Sequence, residues 1–461
     1  MFKDVNNIHF IGIGGIGMSG IAAVLSRMGY NISGSDIRQS SITRRLEDAG
    51  IKISYTHDPK NIEKADIVVF SSAVHENNPE IEEAHRNNIP VIARAEMLAE
   101  LMRLKKSIAV SGTHGKTTTT SMTASIIETA GMDPTVIVGG IVKSMKNNNA
   151  QLGSGDYIVA EADESDKSFI KLLPDIAVIT NIDIDHLDNY NGIDEIKEHF
   201  GHFIETVPFE GLIIYCSDDK NASDTVKGID RRAVGYGFNR KAQVRASGIE
   251  LTPLGSSYEL SIDKENLGRI ELNVPGQHNI LNSLAAVSVG FELGIEFETI
   301  SKALMSFEGV CRRFDVIYKN NTRGIFIVDD YAHHPKEIIS VLNSARNMGD
   351  YRIVTVFQPH LYSRTMNLLD KFAEILSTSD ITVITDIYPA REEPMENVTG
   401  ETLFDQTVKY KGSNIYYIEN KGELPGFLKD FAGDNTIFLF MGAGDINKYS
   451  QLFKEELSNE N

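Results

Sequence analysis

The sequence predicts an α/β fold of three domains, each built on a mostly parallel sheet, with an antiparallel patch in the central one. Short apolar strands alternate with helical patterns along most of the chain, and two glycine-rich loops each join a strand to a helix. At about 100–200 residues per domain, the 461 residues supply roughly three cores. The expected boundaries are 1–105, 106–310 and 311–461.

In the first hundred residues Ile8–Ile13, Asn31–Ser35 and Ile67–Phe70 read as strands, and Gly17–Met28 and Pro79–Asn87 as helices. A second alternating unit starts at Ser107 and includes Asp156–Glu161 and Ile176–Ile179, whose unbroken apolar character suits strands covered on both faces. Between 233 and 274 the period changes to two, in Gln243–Leu251, Ser257–Ile262 and Arg269–Val274. This predicts an antiparallel patch packed beside the central sheet. Asn279–Gly290 reads as an amphipathic helix. After a hinge near 310, strands at Ile325–Val328, Arg352–Phe357, Ile381–Thr385, Ile415–Ile418 and Ile437–Met441 alternate with helices, and Glu455–Asn461 reads as a fraying acidic end.

Bulk properties exclude several classes. No apolar run approaches the roughly 18 residues that cross a bilayer, so no membrane span is expected. The Met1–Asn7 start lacks a basic, apolar and cleavable series, and two cysteines, Cys216 and Cys311, fit a reducing compartment. The expected location is therefore cytoplasmic. A formal charge of −19 argues against nucleic acid as a partner, because phosphate backbones need a basic face. Anionic small ligands must instead be captured locally, by glycine loops, helix N-termini and single cations.

The most informative stretch runs from Ser107 to Thr120. In its loop, Gly112-Thr113-His114-Gly115-Lys116-Thr117-Thr118, the glycines let the backbone turn tightly and aim N–H groups at phosphate. Lys116 supplies a point charge and the Thr117 hydroxyl is placed for magnesium, so the ligand predicted is a nucleoside triphosphate. The loop is shorter than the general phosphate loop, with Val110 where the first glycine usually stands.

A second loop, Gly12-Ile13-Gly14-Gly15-Ile16-Gly17-Met18, follows a strand and opens a helix, and Ser35-Asp36 ends the next strand. Taken alone this matches a dinucleotide fingerprint and suggests a dehydrogenase. Its physical content is narrower: any nucleotide diphosphate suits the helix N-terminus, with Asp36 accepting a hydrogen bond from a ribose or base. Glu161 ends a strand and His186 follows one, where a carboxylate and an imidazole either complete a magnesium shell with Thr117 or are a solvated acidic loop and a structural histidine. Asn279 and Asn282, three apart on one helix, either read a purine edge or leave Asn279 as an N-cap. Arg312 and Arg313 sit at the hinge, and Asp329-Asp330-Tyr331-Ala332-His333-His334-Pro335 ends a strand before a helix. Arg364, in Gln358-Pro-His360-Leu361-Tyr-Ser-Arg364, is either a carboxylate fork or a surface cation. Gly442-Ala-Gly444-Asp445 reads as a structural turn.

Together these residues resemble the Mur ligase family, the ATP-dependent amino acid ligases of peptidoglycan precursor synthesis, over essentially the whole chain. The likeness is carried by Gly112–Thr117, Glu161–Ser165, Asn181–His186, His278–Asn282, Arg312–Phe314 and Asp330–His333. Within the family, Gly12–Gly20 with His333-His334-Pro335 is similar to the alanine-adding members. The resemblance implies Rossmann-like first and third domains around a central P-loop ATPase. It implies that ATP phosphorylates the lactyl carboxylate of UDP-N-acetylmuramate and that the amine of L-alanine attacks the acyl phosphate. By the same resemblance Lys116, Glu161, His186 and Arg313 are catalytic, and ATP is held by Gly112, Thr113, His114, Gly115, Lys116, Thr117, Thr118, Asn279, Asn282, Arg313 and Asp330. Mg2+ falls to Thr117, Glu161 and His186. Gly14, Gly15, Ile16, Gly17, Met18, Ser35 and Asp36 take the uridine nucleotide, so the first loop holds UDP rather than NAD. His333 and Arg364 take alanine, with the parts of His334 and His360 open. Leu361 departs from the pattern, since some alanine-adding members carry Arg there. The rival readings are a sister ligase that adds a preformed peptide to the same nucleotide, and an NAD-dependent oxidoreductase, which leaves Lys116 and Thr117 unexplained.

Overall fold

A computed structural model describes residues 5–185, 189–390 and 392–459. It is a three-domain α/β structure with three sheets. The chain forms two compact units: one runs to Gly248 and adds Tyr258–Ile270 and Leu281–Phe307, and the other comprises Ile249–Ser257, Glu271–Ile280 and the described residues from Glu308 onward.

The first sheet has five parallel strands in the order Lys52–Ser54, Asn31–Ser35, Asn7–Ile11, Ile67–Phe70, Val91–Ala93. Strand order reverses at Asn7–Ile11, and the crevice at such a switch point is where ligands of open α/β sheets bind. The strand stops at Ile11 because Gly12 takes a φ of 78° and starts the turn. Helix Ile16–Arg27 follows and buries Met18, Ile21, Ala22, Val24 and Leu25.

The central sheet has ten strands in the order Glu265–Leu272, Gly255–Ile262, Val244–Thr252, Ala233–Gly237, Leu212–Cys216, Ile176–Ile179, Lys106–Ser111, Tyr157–Glu161, Thr135–Val142, Asn148–Gln151. One expectation is corrected here: the period-two segments do not pack beside this sheet but extend its edge. Tyr236 and Gly237 pair in parallel with Val244 and Arg245, which continues the ladder and satisfies backbone groups that a separate sheet would leave at an edge. Asp263 and Lys264, with φ of 46° and 76°, make the two-residue turn between the last two strands of this patch.

The first two domains share one apolar cluster, which holds Ile21 of helix Ile16–Arg27 together with Ile137 and Ala150 of the central sheet. Asn149 Nδ2 donates to the Ile16 carbonyl at 2.6 Å and to Ser19 Oγ at 3.1 Å, so the second domain grips the first turn of the helix behind the first glycine loop. Lys171 pairs with Glu96 at 2.5 Å on the same interface. Gly20 permits the approach, since a Cβ there lies 3.1 Å from Asn149 Nδ2 and 3.3 Å from Ala150 Cβ.

The third sheet has six strands in the order Asp315–Asn320, Ile325–Asp330, Thr436–Met441, Arg352–Phe357, Ile381–Thr385, Ile415–Ile418. Its first strand is antiparallel and the rest are parallel. Thr436–Met441 is buried on both faces: Ile437, Leu439 and Met441 enter one core cluster while Phe438 and Phe440 enter the other. No helix among the described residues is long and apolar enough to cross a membrane.

Replacing Gly20 by Leu wedges the helix away from Asn149 and Ala150, and overpacking of this kind costs about 1–3 kcal/mol. A thermal melt should show Gly20→Leu several degrees below wild type; an unchanged melting temperature contradicts the shared core.

Candidate active site

Strand Lys106–Ser111 carries Ile108, Ala109 and Val110 at 1% exposure or less, so the phosphate-loop candidate leaves from a rigid core. Gly112 has a φ of 133° and Gly115 a φ of 84°, conformations that L side chains rarely adopt. Space forbids side chains as well. A Cβ on Gly112 lies 2.0 Å from Thr180 Oγ1, and one on Gly115 lies 2.5 Å from Asn282 Oδ1. The neighbouring strand end clamps the loop: Thr180 Oγ1 donates to the His114 carbonyl at 2.6 Å, and Asn181 accepts from His114 N–H at 2.9 Å while donating to its carbonyl at 2.8 Å. Helix Lys116–Thr129 then starts, with Gly115 as its N-cap and Thr117 and Thr118 buried in its first turn.

Lys116 Nζ donates to the carbonyls of Gly112 at 2.6 Å and Thr113 at 3.2 Å, and it pairs with Glu164 at 2.8 Å. Burial works against its charge, but Glu164, helped by Asp163 and Glu161, outweighs that and holds the ammonium above the ordinary lysine range. Thr117 Oγ1 lies 3.0 and 3.2 Å from the two oxygens of Glu161, which also accepts from Gly139 N–H at 2.8 Å. A hydroxyl and a carboxylate converging at a strand end are the hard oxygen donors that magnesium takes. His186 lies outside the described residues.

Glu164 is a site residue that sequence reasoning missed. In a run holding Glu161, Asp163, Glu164 and Asp166, residue type does not say which carboxylate turns inward. Glu164 is 2% exposed beside Lys116, whereas Asp163 and Asp166 each lie 3.9 Å from Arg94.

In the first glycine loop, the N–H groups of Gly12 and Ile13 donate to the Ser35 carbonyl at 2.9 and 3.1 Å. Gly14 N–H donates to Asp36 Oδ2 at 2.8 Å, and Arg38 N–H to Oδ1 at 3.1 Å. Asp36 therefore braces the loop through Oδ2 and its own turn through Oδ1. Gly14 must be glycine, because a Cβ there comes 2.7 Å from Asp36 Oδ2. Gly15 caps the helix, Ile16 is half-buried, and Gly17 packs against the Arg94 side chain. Met18, at 1% exposure, is a core side chain.

Helix Gln277–Glu292 begins two residues before Asn279, which removes the N-cap alternative for that residue. Asn279 Nδ2 donates to the Pro275 carbonyl at 2.7 Å, and Asn282 Oδ1 accepts from Thr119 Oγ1 at 3.2 Å.

In the second unit Asp330 braces the start of strand Asp315–Asn320, accepting from the N–H groups of Phe314 at 2.6 Å and Ala332 at 2.7 Å. Burial raises its carboxyl to about 6, against the opposing charge of Arg313. Arg312 and Arg313 place their guanidinium groups over the Tyr331 ring, and Arg313 lies 3.6 Å from Glu337. His334 Nδ1 accepts from Lys336 N–H and caps helix Pro335–Arg346, which gives it a structural task. His333, His360, Arg364 and Tyr388 gather: the two imidazoles lie 5.9 Å apart, His360 stacks on Tyr388, and Arg364 Nη1 lies 3.4 Å from His360 Nδ1. Arg364 is 9% exposed, so it is not the surface cation of the alternative reading. Gln358 ties the Gly442–Asp445 turn, donating to Asp445 at 2.8 Å and accepting from Ile446 N–H at 3.1 Å.

Three family descriptions match the chain in succession: the Mur ligase family catalytic domain over residues 7–106, the Mur ligase middle domain over 110–290, and the Mur ligase glutamate ligase domain over 312–444. The chain is 48% identical to a UDP-N-acetylmuramate–L-alanine ligase of Geotalea daltonii, covering 99% of each chain, and 46% identical to one of Salinibacter ruber, covering 99% of this chain and 96% of that one. Among solved structures, it is similar to a UDP-N-acetylmuramate-alanine ligase of Thermotoga maritima, with a TM-score of 0.86 and 32% identity over 99% of this chain and 100% of that one. A murein peptide ligase of Psychrobacter arcticus shares the fold at a TM-score of 0.73 and 24% identity, over 98% and 99%. On this evidence the chain belongs to the Mur ligase family.

Proposed function

We propose that this chain joins L-alanine to the lactyl carboxylate of UDP-N-acetylmuramate at the expense of ATP, giving UDP-N-acetylmuramoyl-L-alanine, ADP and phosphate. The observation that carries the reading is the Gly112–Thr117 loop, with Lys116 beside Glu164 and Thr117 facing Glu161. An oxidoreductase has no use for that arrangement. The full-length alanine-ligase relatives, at 46–48% identity, favour alanine over a preformed peptide.

A carboxylate is a poor electrophile, so it must be activated before an amine can attack. The γ-phosphoryl group passes from ATP to a lactyl oxygen, breaking its bond to ADP. The alanine nitrogen then attacks the acyl carbon, loses a proton, and phosphate leaves with the electron pair. The loop N–H groups and Lys116 bind the phosphates and stabilise charge as it moves to the β-phosphate. Thr117 and Glu161 fit magnesium, which when bound neutralises phosphate charge. Asn279, Asn282, Arg313 and Asp330 are the further ATP contacts of this reading. The Gly12–Gly17 turn takes the uridine nucleotide. Arg364, with His333 and His360 near it, takes the alanine carboxylate, because a guanidinium fork matches a carboxylate. Domain boundaries near 105 and 310 and a cytoplasmic location, supported by the free cysteines Cys216 and Cys311, belong to the same proposal.

Purified protein with ATP, magnesium and UDP-N-acetylmuramate should release phosphate only when L-alanine is added; release that ignores alanine, or requires a peptide in its place, overturns the assignment. Lys116→Ala should lower that rate by about 10²–10³-fold or more while the circular dichroism spectrum holds. Glu164→Gln takes the nearest carboxylate from a largely buried ammonium, a loss on the order of 3 kcal/mol. ATP should therefore raise the melting temperature of this variant by more than it raises that of wild type, and equal shifts would separate Glu164 from the phosphate site. Asp36→Ala should weaken the uridine nucleotide and leave ATP affinity unchanged; parallel loss of both would show that the two loops do not serve separate ligands.

A further inference from the structure

Glu80 is 0% exposed in the first turn of helix Pro79–Arg86, beneath the first glycine loop. A carboxylate placed there costs several kcal/mol unless charge-matched donors surround it. Five donors do. Ser35 Oγ at 2.6 Å, His57 Nδ1 at 3.4 Å and His9 Nε2 at 3.6 Å approach Oε2, and Asn61 Nδ2 at 2.5 Å and Asp58 N–H at 3.4 Å approach Oε1. Burial pushes the carboxyl up, but bonds from His9, Asn61 and Ser35 outweigh it and hold it at about 2. His9 is fixed in turn by Ser33 Oγ, 2.9 Å from its Nδ1.

The donors come from separate segments: His9 from strand Asn7–Ile11, Ser35 from the end of strand Asn31–Ser35, and the remainder from the 57–61 turn. Ser35 matters most, since its hydroxyl is held by Glu80 and its carbonyl accepts from both Gly12 and Ile13 N–H. The next residue, Asp36, holds Gly14. An apolar side chain would pack the helix on the sheet without the cost of a buried charge. What the charge adds is a fixed position for Ser35.

We propose that Glu80 is a positioning residue for the uridine nucleotide: acting through Ser35, its carboxylate sets the backbone of Gly12–Gly14 and with it the affinity of that loop for a nucleotide diphosphate. The inference rests on the reading of the first loop as the uridine site. Glutamine keeps the shape of Glu80 but turns an amide donor toward donors, and Ser35→Ala removes the link while leaving the carboxylate in place.

The test is steady-state kinetics of both single variants and the double, with calorimetric titration of UDP-N-acetylmuramate into each. Glu80→Gln and Ser35→Ala should each raise KM and Kd for the nucleotide about tenfold or more, as loss of a hydrogen bond to a charged group does. The KM for ATP should stay within about twofold in both, and kcat at saturation within about twofold in Glu80→Gln; the double variant should be no worse than the weaker single variant, because both break one path. A fall in kcat with unchanged nucleotide KM means Glu80 only supports folding and overturns the proposal. If Glu80→Gln fails to fold, Ser35→Ala decides alone, and an unshifted nucleotide KM rejects the path. Wild-type protein that does not bind the nucleotide sinks the parent reading, whereas tight wild-type binding with unshifted variants sinks only the role of Glu80.

Discussion

The candidate phosphate site depends on how closely the Gly112–Gly115 backbone approaches its walls. Thr180 and Asn181 on one strand end, and Asn282 on a helix, stand where side chains on the two glycines would have to go. That approach fixes the direction of helix Lys116–Thr129 and sets Thr117 against Glu161 and Lys116 against Glu164. A loop with one more methyl group at either glycine loses this geometry. The buried strand Lys106–Ser111 supplies the rigidity that keeps the approach reproducible.

The net charge of −19 makes this arrangement necessary rather than incidental. Anionic substrates approach a protein whose overall field repels them, so capture falls to short-range groups: loop N–H dipoles, helix N-termini and one lysine kept charged chiefly by the buried carboxylate of Glu164. The two glycine loops meet the demand differently. The second uses a cation paired with Glu164. The first has no lysine in its Gly12–Gly17 turn and relies on backbone groups held by Ser35 and Asp36, which is why the carboxylate under Ser35 acquires weight.

Much of the fold is legible in the sequence, because parallel strands buried on both faces announce themselves as apolar runs. Ile67–Phe70, Ile176–Ile179, Arg352–Phe357 and Ile381–Thr385 have the ends that the sequence predicts, and so do Asn31–Ser35 and Ile415–Ile418, which are less completely buried. Asp315–Asn320 escapes notice because it is an antiparallel edge strand, half-buried and irregular between Val316 and Tyr318. The edge position of the antiparallel patch is equally unreadable, since two residue pairs at Tyr236 and Gly237 decide it. At the site, glycine loops and strand-end residues are visible as types and spacings. The inward turn of Glu164 and the burial of Glu80 are not, because a carboxylate in an acidic run or on an amphipathic helix looks solvated until tertiary partners are known.

The central claim is that the lactyl carboxylate is activated by phosphoryl transfer before the amine arrives. Transfer of heavy oxygen tests it most directly: UDP-N-acetylmuramate labelled with oxygen-18 in its lactyl carboxylate is turned over with ATP and L-alanine, and the released phosphate is weighed by mass spectrometry. One labelled oxygen in each phosphate is the predicted result. Unlabelled phosphate formed in step with the amide would contradict the account.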